Sequence, residues 1–243
     1  MTHVVAGYPS ESKCIDLLMA MQKAGVSAIE IQIPFSDPSA DGPTIMKAND
    51  VALENGTTTA KSFFLLARAR EKGLTTPVYI MSYANKLYRF GFEKFCNEAK
   101  KCQVSGFIIP DLPFDSPEYR KLSKFSIKYS MEVVPVLSPG IMAERLSSYD
   151  LESKQLVYLT SMKGITGKDL VVKNDLIKLI RKIRSVSSCQ IALGFGIRNP
   201  KHVQTALSIA DMAVIGSEVI RRIDSDGVLG AKKYINQLVD SRD

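Results

Sequence analysis

The sequence predicts an α/β chain wound as a single (β/α)8 barrel of the TIM type, and three observations predict it. Short apolar runs alternate with amphipathic stretches eight times within 243 residues, which is the arithmetic of parallel βα units. No G-x-G-x-x-G follows the first apolar run, so an open doubly wound sheet ranks second. The unusual loops all follow strand candidates, whereas the return loops at 72–77 and 186–190 are plain. That asymmetry suits a fold whose sites lie at the carboxyl ends of its strands.

The elements follow in order. A strand candidate at 3–6 leads into a helical pattern at 10–24, and the next strand, 28–33, empties into the loop PFSDPSADGP. The helical pattern 62–72 precedes strand 78–81 and the motif Tyr-Ala-Asn at Tyr83 to Asn85. Helix 92–102 precedes strand 106–109 and the PDLP turn, Pro110 to Pro113. Helix 117–128 leads to strand 132–136 and the SPG turn. Helix 143–149 leads to strand 156–159 and the loop KGITGKD, Lys163 to Asp169. Helix 174–186 leads to strand 190–194, continuing as GFGIRNP. Helix 200–208 leads to strand 212–215, the turn Gly216-Ser217-Glu218 and a last helix at 230–239. No linker or low-complexity segment interrupts the series, so the expectation is one domain over 1–243.

Composition narrows the function classes. The apolar and charged fractions, 45% and 23%, are those of an ordinary soluble globular protein. No apolar run reaches the length of a membrane span, and the opening MTHVVAGYPS lacks the flanks of a signal peptide. Cys14, Cys96, Cys102 and Cys189 show neither zinc spacing nor a disulfide framework, so a reducing cytoplasm and no metal are expected. The net charge of +7 is carried partly by clusters such as Lys178-Arg181-Lys182-Arg184 and Arg221-Arg222. At helical spacing beside apolar residues, these read as solvated helix faces; no nucleic-acid motif accompanies them.

The chemistry concentrates between Ala28 and Ile45. In the strand AIEIQI, alternation puts Ile29, Ile31 and Ile33 on one face and Ala28, Glu30 and Gln32 on the other. Glu30 therefore sits either in water on an edge strand or inside a cavity. In a barrel it faces the interior, where partial desolvation raises a carboxyl pKa and suits it to proton transfer near neutrality. Asp41, eleven positions on, lies on a flexible loop, placed to hold a polar N–H of a substrate. The last three loops supply small residues, Gly167, Gly196 and Gly216 with Ser217, whose backbone amides can approach an anion. Loops after strands seven and eight are the usual phosphate site of this fold.

The segment with Glu30, PFSDP and ADGP resembles the signature of the tryptophan synthase alpha subunit, close to E-[LIV]-G-[IV]-P-F-S-D-P-x-A-D-G-P. The resemblance implies a cofactor-free retro-aldol cleavage of indole-3-glycerol phosphate to indole and glyceraldehyde 3-phosphate. Glu30 and Asp41 match the catalytic pair: Glu30 would carry the proton between glycerol hydroxyl and ring carbon, and Asp41 would steady positive charge at the indole nitrogen. Tyr158 matches a tyrosine near the first acid and Thr166 a threonine on a mobile lid. Phe195 and Ile108 match positions lining the indole pocket and serve equally well as core. Tyr83 matches as much for loop structure as for chemistry.

The resemblance also implies a partner, a pyridoxal-phosphate beta subunit in an alpha2beta2 assembly, touched by the PFSDPSADGP loop and the segment from Pro110 to Pro117. Departures stand out. Gln32 replaces the family glycine, where its amide would fill part of the substrate pocket or hydrogen-bond Glu30. Glu218 replaces a small apolar residue and is expected to point away from the anion. Val5, Gln103 and Ser105 also differ, and His3 replaces an aromatic; neither His3 nor His202 is expected to act as a catalyst. Family members usually carry a leading helix before strand one, and this chain begins almost on the strand. A catalytically impaired homologue acting mainly as activator of the beta subunit is therefore the alternative. Another sugar-phosphate barrel enzyme and a non-catalytic interaction protein are the rival classes.

Overall fold

Parallel pairing organises the chain, and the computed structural model describes residues 1–160, 172–194 and 196–241. The strands β1 (Thr2–Val5), β2 (Ile29–Gln32), β3 (Val78–Met81), β4 (Gly106–Ile108) and β5 (Glu132–Val134) pair in sequence order. So do β6 (Val136–Leu137), β7 (Leu156–Thr160), β8 (Gln190–Gly194) and β9 (Met212–Ala213). Pro135 separates β5 from β6 because it has no N–H to give the ladder, yet its carbonyl accepts from Tyr158 N at 2.9 Å. One extended run thus serves both sheets as the fifth stave.

The other seam is also hydrogen-bonded. Thr2 bridges Ile215 in parallel. His3 N donates to Ile215 O at 2.9 Å, and Ile215 N donates to Met1 O at 3.1 Å. Eight staves therefore form a ring, as the alternation of elements predicts.

The helices are α1 (Glu11–Lys23), α2 (Pro43–Glu54), α3 (Thr59–Glu71), α4 (Ala84–Phe90), α5 (Phe92–Lys101), α6 (Pro117–Lys128), α7 (Ala143–Ser147), α8 (Asn174–Val186), α9 (Pro200–Leu207) and α10 (Ser217–Asp240). Ser10, Thr58, Ser116 and Asn199 cap α1, α3, α6 and α9 by accepting from a first-turn amide. Two helices depart from the sequence reading. Pro43, read as the end of a loop, is the first residue of α2, where its missing N–H removes no hydrogen bond. The short α4 begins inside the Tyr-Ala-Asn motif. The last helix also starts thirteen residues early, at Ser217, and bends at Gly227.

Two apolar layers result. Ile29, Ile31 and Ile33 join the layer between staves and helices, with Phe95 and Phe107. Ala28, Tyr79, Met81, Ile108, Val134, Leu156, Ala192 and Val214 form a smaller cluster inside the ring. The alternation expected of β2 therefore holds, and Glu30 and Gln32 share the inner face with that cluster. Lys178, Arg181, Lys182 and Arg184 are exposed on α8, the solvated face expected of them. All four cysteines are buried and free. Among the described residues, no helix is long and apolar enough to cross a membrane.

Candidate active site

Strand register builds the first half of the site. In the β1–β2 pair His3 lies opposite Glu30, and His3 Nδ1 is 3.0 Å from Glu30 Oε1. Both side chains are about 5% exposed. Glu30 Oε2 and His3 Nε2 are buried with no hydrogen-bond partner among the described residues. Burial, the largest single influence, opposes a charge on His3, but Glu30, Asp41 and Gln32 together outweigh it, so the imidazole pKa lies above the usual 6.5. His3, not expected to act as a catalyst, is the side chain that the fold places against Glu30. The signal lies in cross-strand register, which a single strand does not display.

The second half forms around Asp41. Its loop is pinned rather than flexible, and Asp41 is only 5% exposed. Gln32 Nε2 donates to Asp41 Oδ2 at 2.7 Å and to Asn49 Oδ1 at 3.3 Å. The Tyr83 hydroxyl donates to Asp41 Oδ2 at 3.0 Å while accepting from Ala40 N at 3.1 Å. Asn49 in α2 also accepts from Phe35 N at 2.9 Å and donates to Ile45 O at 2.8 Å. Asn49 thus ties the start of the PFSDPSADGP segment to α2, the helix that begins at the segment's last residue. Burial raises the Asp41 pKa, partly offset by His3, Gln32 and Tyr83. The amide of Gln32 engages Asp41 and not Glu30, which corrects one of the two outcomes expected of that substitution.

Tyr158 reaches the same interior from β7. Its phenol is pushed well above the usual value by burial first and then by the charges of Glu30 and Asp41. Gly194 makes this possible: a Cβ there would lie 2.4 Å from the Tyr158 hydroxyl. Gly216 plays a similar part beneath His3, where a Cβ would lie 3.2 Å from His3 Cβ. Ile108 is buried in the inner cluster, as is Tyr83. Gly216 precedes Ser217 at the amino end of α10, and Gly196 takes the left-handed conformation after β8, the stave beside β9. Glu218 turns back onto its own helix, 2.8 Å from Arg221 Nε and 3.2 Å from Arg222 Nε. Thr166, Gly167 and Phe195 lie outside the described residues. Among those described, no group of three or more His, Cys, Asp or Glu side chains is placed to hold a metal ion.

The arrangement can move a proton and stabilise a positive charge within one enclosed space. Glu30 offers an unpaired carboxylate oxygen, Asp41 a fixed carboxylate, and the β8–β9 rim backbone amides for an anion.

Comparison with known proteins places the chain among its relatives. The family model described as "Tryptophan synthase alpha chain" matches residues 1–241. A tryptophan synthase alpha chain of Chloroflexus aurantiacus is 33% identical over 99% of this chain and 91% of its own length. One from Prochlorococcus marinus is 36% identical over 93% of this chain and 84% of its own. A crystal structure of the tryptophan synthase complex from Pyrococcus furiosus superposes with a TM-score of 0.86. It is 28% identical, with 98% of this chain and 96% of that one covered.

Proposed function

The chain belongs to the tryptophan synthase alpha chain family, and from that premise we propose that it is a carbon–carbon lyase acting on indole-3-glycerol phosphate. One observation carries the reading: Glu30 and Asp41 converge inside the barrel, with Glu30 Oε2 left unpaired among the described residues. Glu30 delivers a proton to the ring carbon that bears the glycerol chain, and the ring nitrogen becomes cationic beside Asp41. Glu30 then accepts the proton of the adjacent glycerol hydroxyl. The bond between side chain and ring breaks, its electron pair returns to the ring, and an aldehyde and indole result. The proton borrowed is the proton returned.

The remaining roles belong to the same reading. Tyr158 lines the space between the two acids, and Ile108 and Tyr83 wall the ring side, with Phe195 and the Thr166 lid assigned by resemblance. The phosphate falls to the amides of Gly196, Gly216 and Ser217, with Gly167 from the preceding loop. No cofactor is required of this chain. Pyridoxal phosphate is assigned to a beta subunit, the partner suggested by the complex from Pyrococcus furiosus. Asp111 Oδ1 accepts from Ala84 N at 2.9 Å, tying the PDLP loop to the one after β3. A docked partner would therefore feel both.

Gln32 favours a second reading, an impaired lyase that acts mainly by activating its partner. Its amide occupies Asp41 Oδ2, an oxygen the substrate nitrogen would otherwise approach. Steady-state cleavage of indole-3-glycerol phosphate, with the beta subunit present, separates the two. The lyase reading expects family-typical turnover, a loss of about 10²–10⁴ in Glu30→Gln, and a further loss in Gln32→Gly as Asp41 is released. Weak turnover that rises in Gln32→Gly establishes the activator instead.

A further inference from the structure

The family resemblance leaves His3 with no task, since an aromatic side chain usually stands there, yet the fold presses it against the principal acid. Its imidazole is buried, 3.0 Å from Glu30 Oε1 through Nδ1, and is backed by Gly216, whose lack of a Cβ gives it room. Across the strand pair stands Glu30, and from the loop beyond β2 comes Asp41, with the neutral amide of Gln32 between. Tyr158 from β7 and Tyr83 from the loop after β3 approach those carboxylates. The β9 side presents Gly216, which cannot titrate. Two acids and one imidazole are thus buried on the inner side of the ring.

We propose that His3 and Glu30 hold the transferred proton in common across the Nδ1–Oε1 hydrogen bond, so that His3 is the positioning residue that keeps Glu30 supplied. The inference rests on the lyase reading of the same site and deepens it. A carboxyl that must first give and then recover a proton has to carry one at the start. In the resting pair the proton lies between imidazole and carboxylate, giving imidazolium with carboxylate or imidazole with carboxylic acid. As the pair's one mobile proton leaves the carboxyl for the ring carbon, neutral imidazole and carboxylate remain, and Nδ1–H keeps donating to Oε1. The carboxylate then takes the hydroxyl proton as the carbon–carbon bond breaks. Imidazole, carboxylate and one shared proton are restored, with no external acid or base.

Two measurements test this on the full-length chain. The sequence contains two histidines, so the imidazole of His3 can be followed by NMR, with His202 identified through a His202→Asn control. Replacing Glu30 by Gln leaves burial without its countercharge, and the His3 titration should fall by about one pH unit or more. An unmoved titration overturns the dyad.

The second measurement is the pH profile of kcat/KM for wild type, His3→Phe and His3→Asn. Phe restores the bulk of the usual aromatic, and Asn keeps a hydrogen-bond donor near Oε1 without a titrating charge. Both should move the alkaline limb to lower pH by about one unit, because the proton is then held by the carboxyl alone, with Asn holding KM near the wild-type value. A merely structural role for His3 lowers the profile without moving its limb, and that result overturns the proposal. Wild type inactive at every pH where it stays folded sinks the lyase reading and this inference with it. A normal wild-type profile with unmoved limbs sinks the inference alone.

Discussion

Burial raises the Asp41 pKa, and the donors from Gln32 and Tyr83 and the charge of His3 only partly restore its acidity. The folded state therefore binds more protons at this position than the unfolded chain, so stability falls as pH rises from the unfolded value through the folded one. Asp41→Asn keeps an acceptor for both donors and removes the buried charge. It should raise stability at neutral pH by about 1 kcal/mol, a shift of about 2–4 °C in Tm for a chain of this size, while lowering kcat about 10²–10³-fold. Thermal melts beside steady-state assays decide it, and a destabilised Asn variant at neutral pH refutes the reading of Asp41. His3 obeys the same sign. Its folded pKa is raised above 6.5, so its bond to Glu30 stabilises fully below the unfolded value and is lost as pH rises through the folded one. The gap in Tm between wild type and His3→Phe should therefore be widest in mild acid and close toward alkaline pH. Both acids were legible from strand alternation and a fixed loop spacing. The partners that hold them were not, because the His3–Glu30 contact depends on the register of two strands 27 positions apart, and a glutamine amide can reach several acceptors.

At the scale of elements, the strands were read closely because each is a short apolar run bounded by turn residues. The helices α2 and α4 were missed where motif residues read as loop. In α2 the buried Ile45, Ala48, Asn49 and Ala52 recur at helical spacing, a signal that the proline and the preceding glycine obscured. That helix matters because its one buried polar side chain anchors the loop of Asp41. Asn49→Ala strips an acceptor from the buried Phe35 amide and the Gln32 amide, and should destabilise by about 1–3 kcal/mol. It should also accelerate amide exchange across residues 34–42, and exchange as slow as in wild type there would show that α2 does not hold the loop. Gly227 is a different case. It lies at φ 66°, ψ −170° within α10, backbone that essentially only glycine adopts, and nothing lies within 4 Å of where a Cβ would be. Gly227→Ala meets no neighbour, so any loss is backbone strain. It should lower stability by about 1–3 kcal/mol, read as a reduced urea midpoint at constant m-value, with turnover of the folded enzyme unchanged.

For the whole molecule, the ring of staves separates what holds the fold from what performs the chemistry. The outer layer contains most of the large buried side chains, Phe95 and Phe107 among them, both fully buried. The inner layer is smaller and surrounds a polar centre of Glu30, His3, Gln32 and Asp41. Since stability scales with apolar surface removed from water, most of it resides between staves and helices, where the side chains alternate with the inward-facing ones on the same strands. This is why the barrel was legible in the sequence: outward positions repeat at period two in every strand and need no partner to be recognised. The inner positions are chosen by the ligand and by one another, so they break the apolar pattern without revealing how they pair. The separation can be measured. Phe107→Ala, pointing outward from β4, should lose about 3–5 kcal/mol and leave KM and kcat of the folded fraction within about twofold, because no inner side chain moves by the order of 1 Å that catalysis feels. Glu30→Gln should do the reverse, altering the urea midpoint little and turnover greatly. A Phe107→Ala enzyme that loses turnover in proportion to stability would show that the two layers are mechanically coupled and that the chemistry depends on the outer packing as much as on the inner polar set.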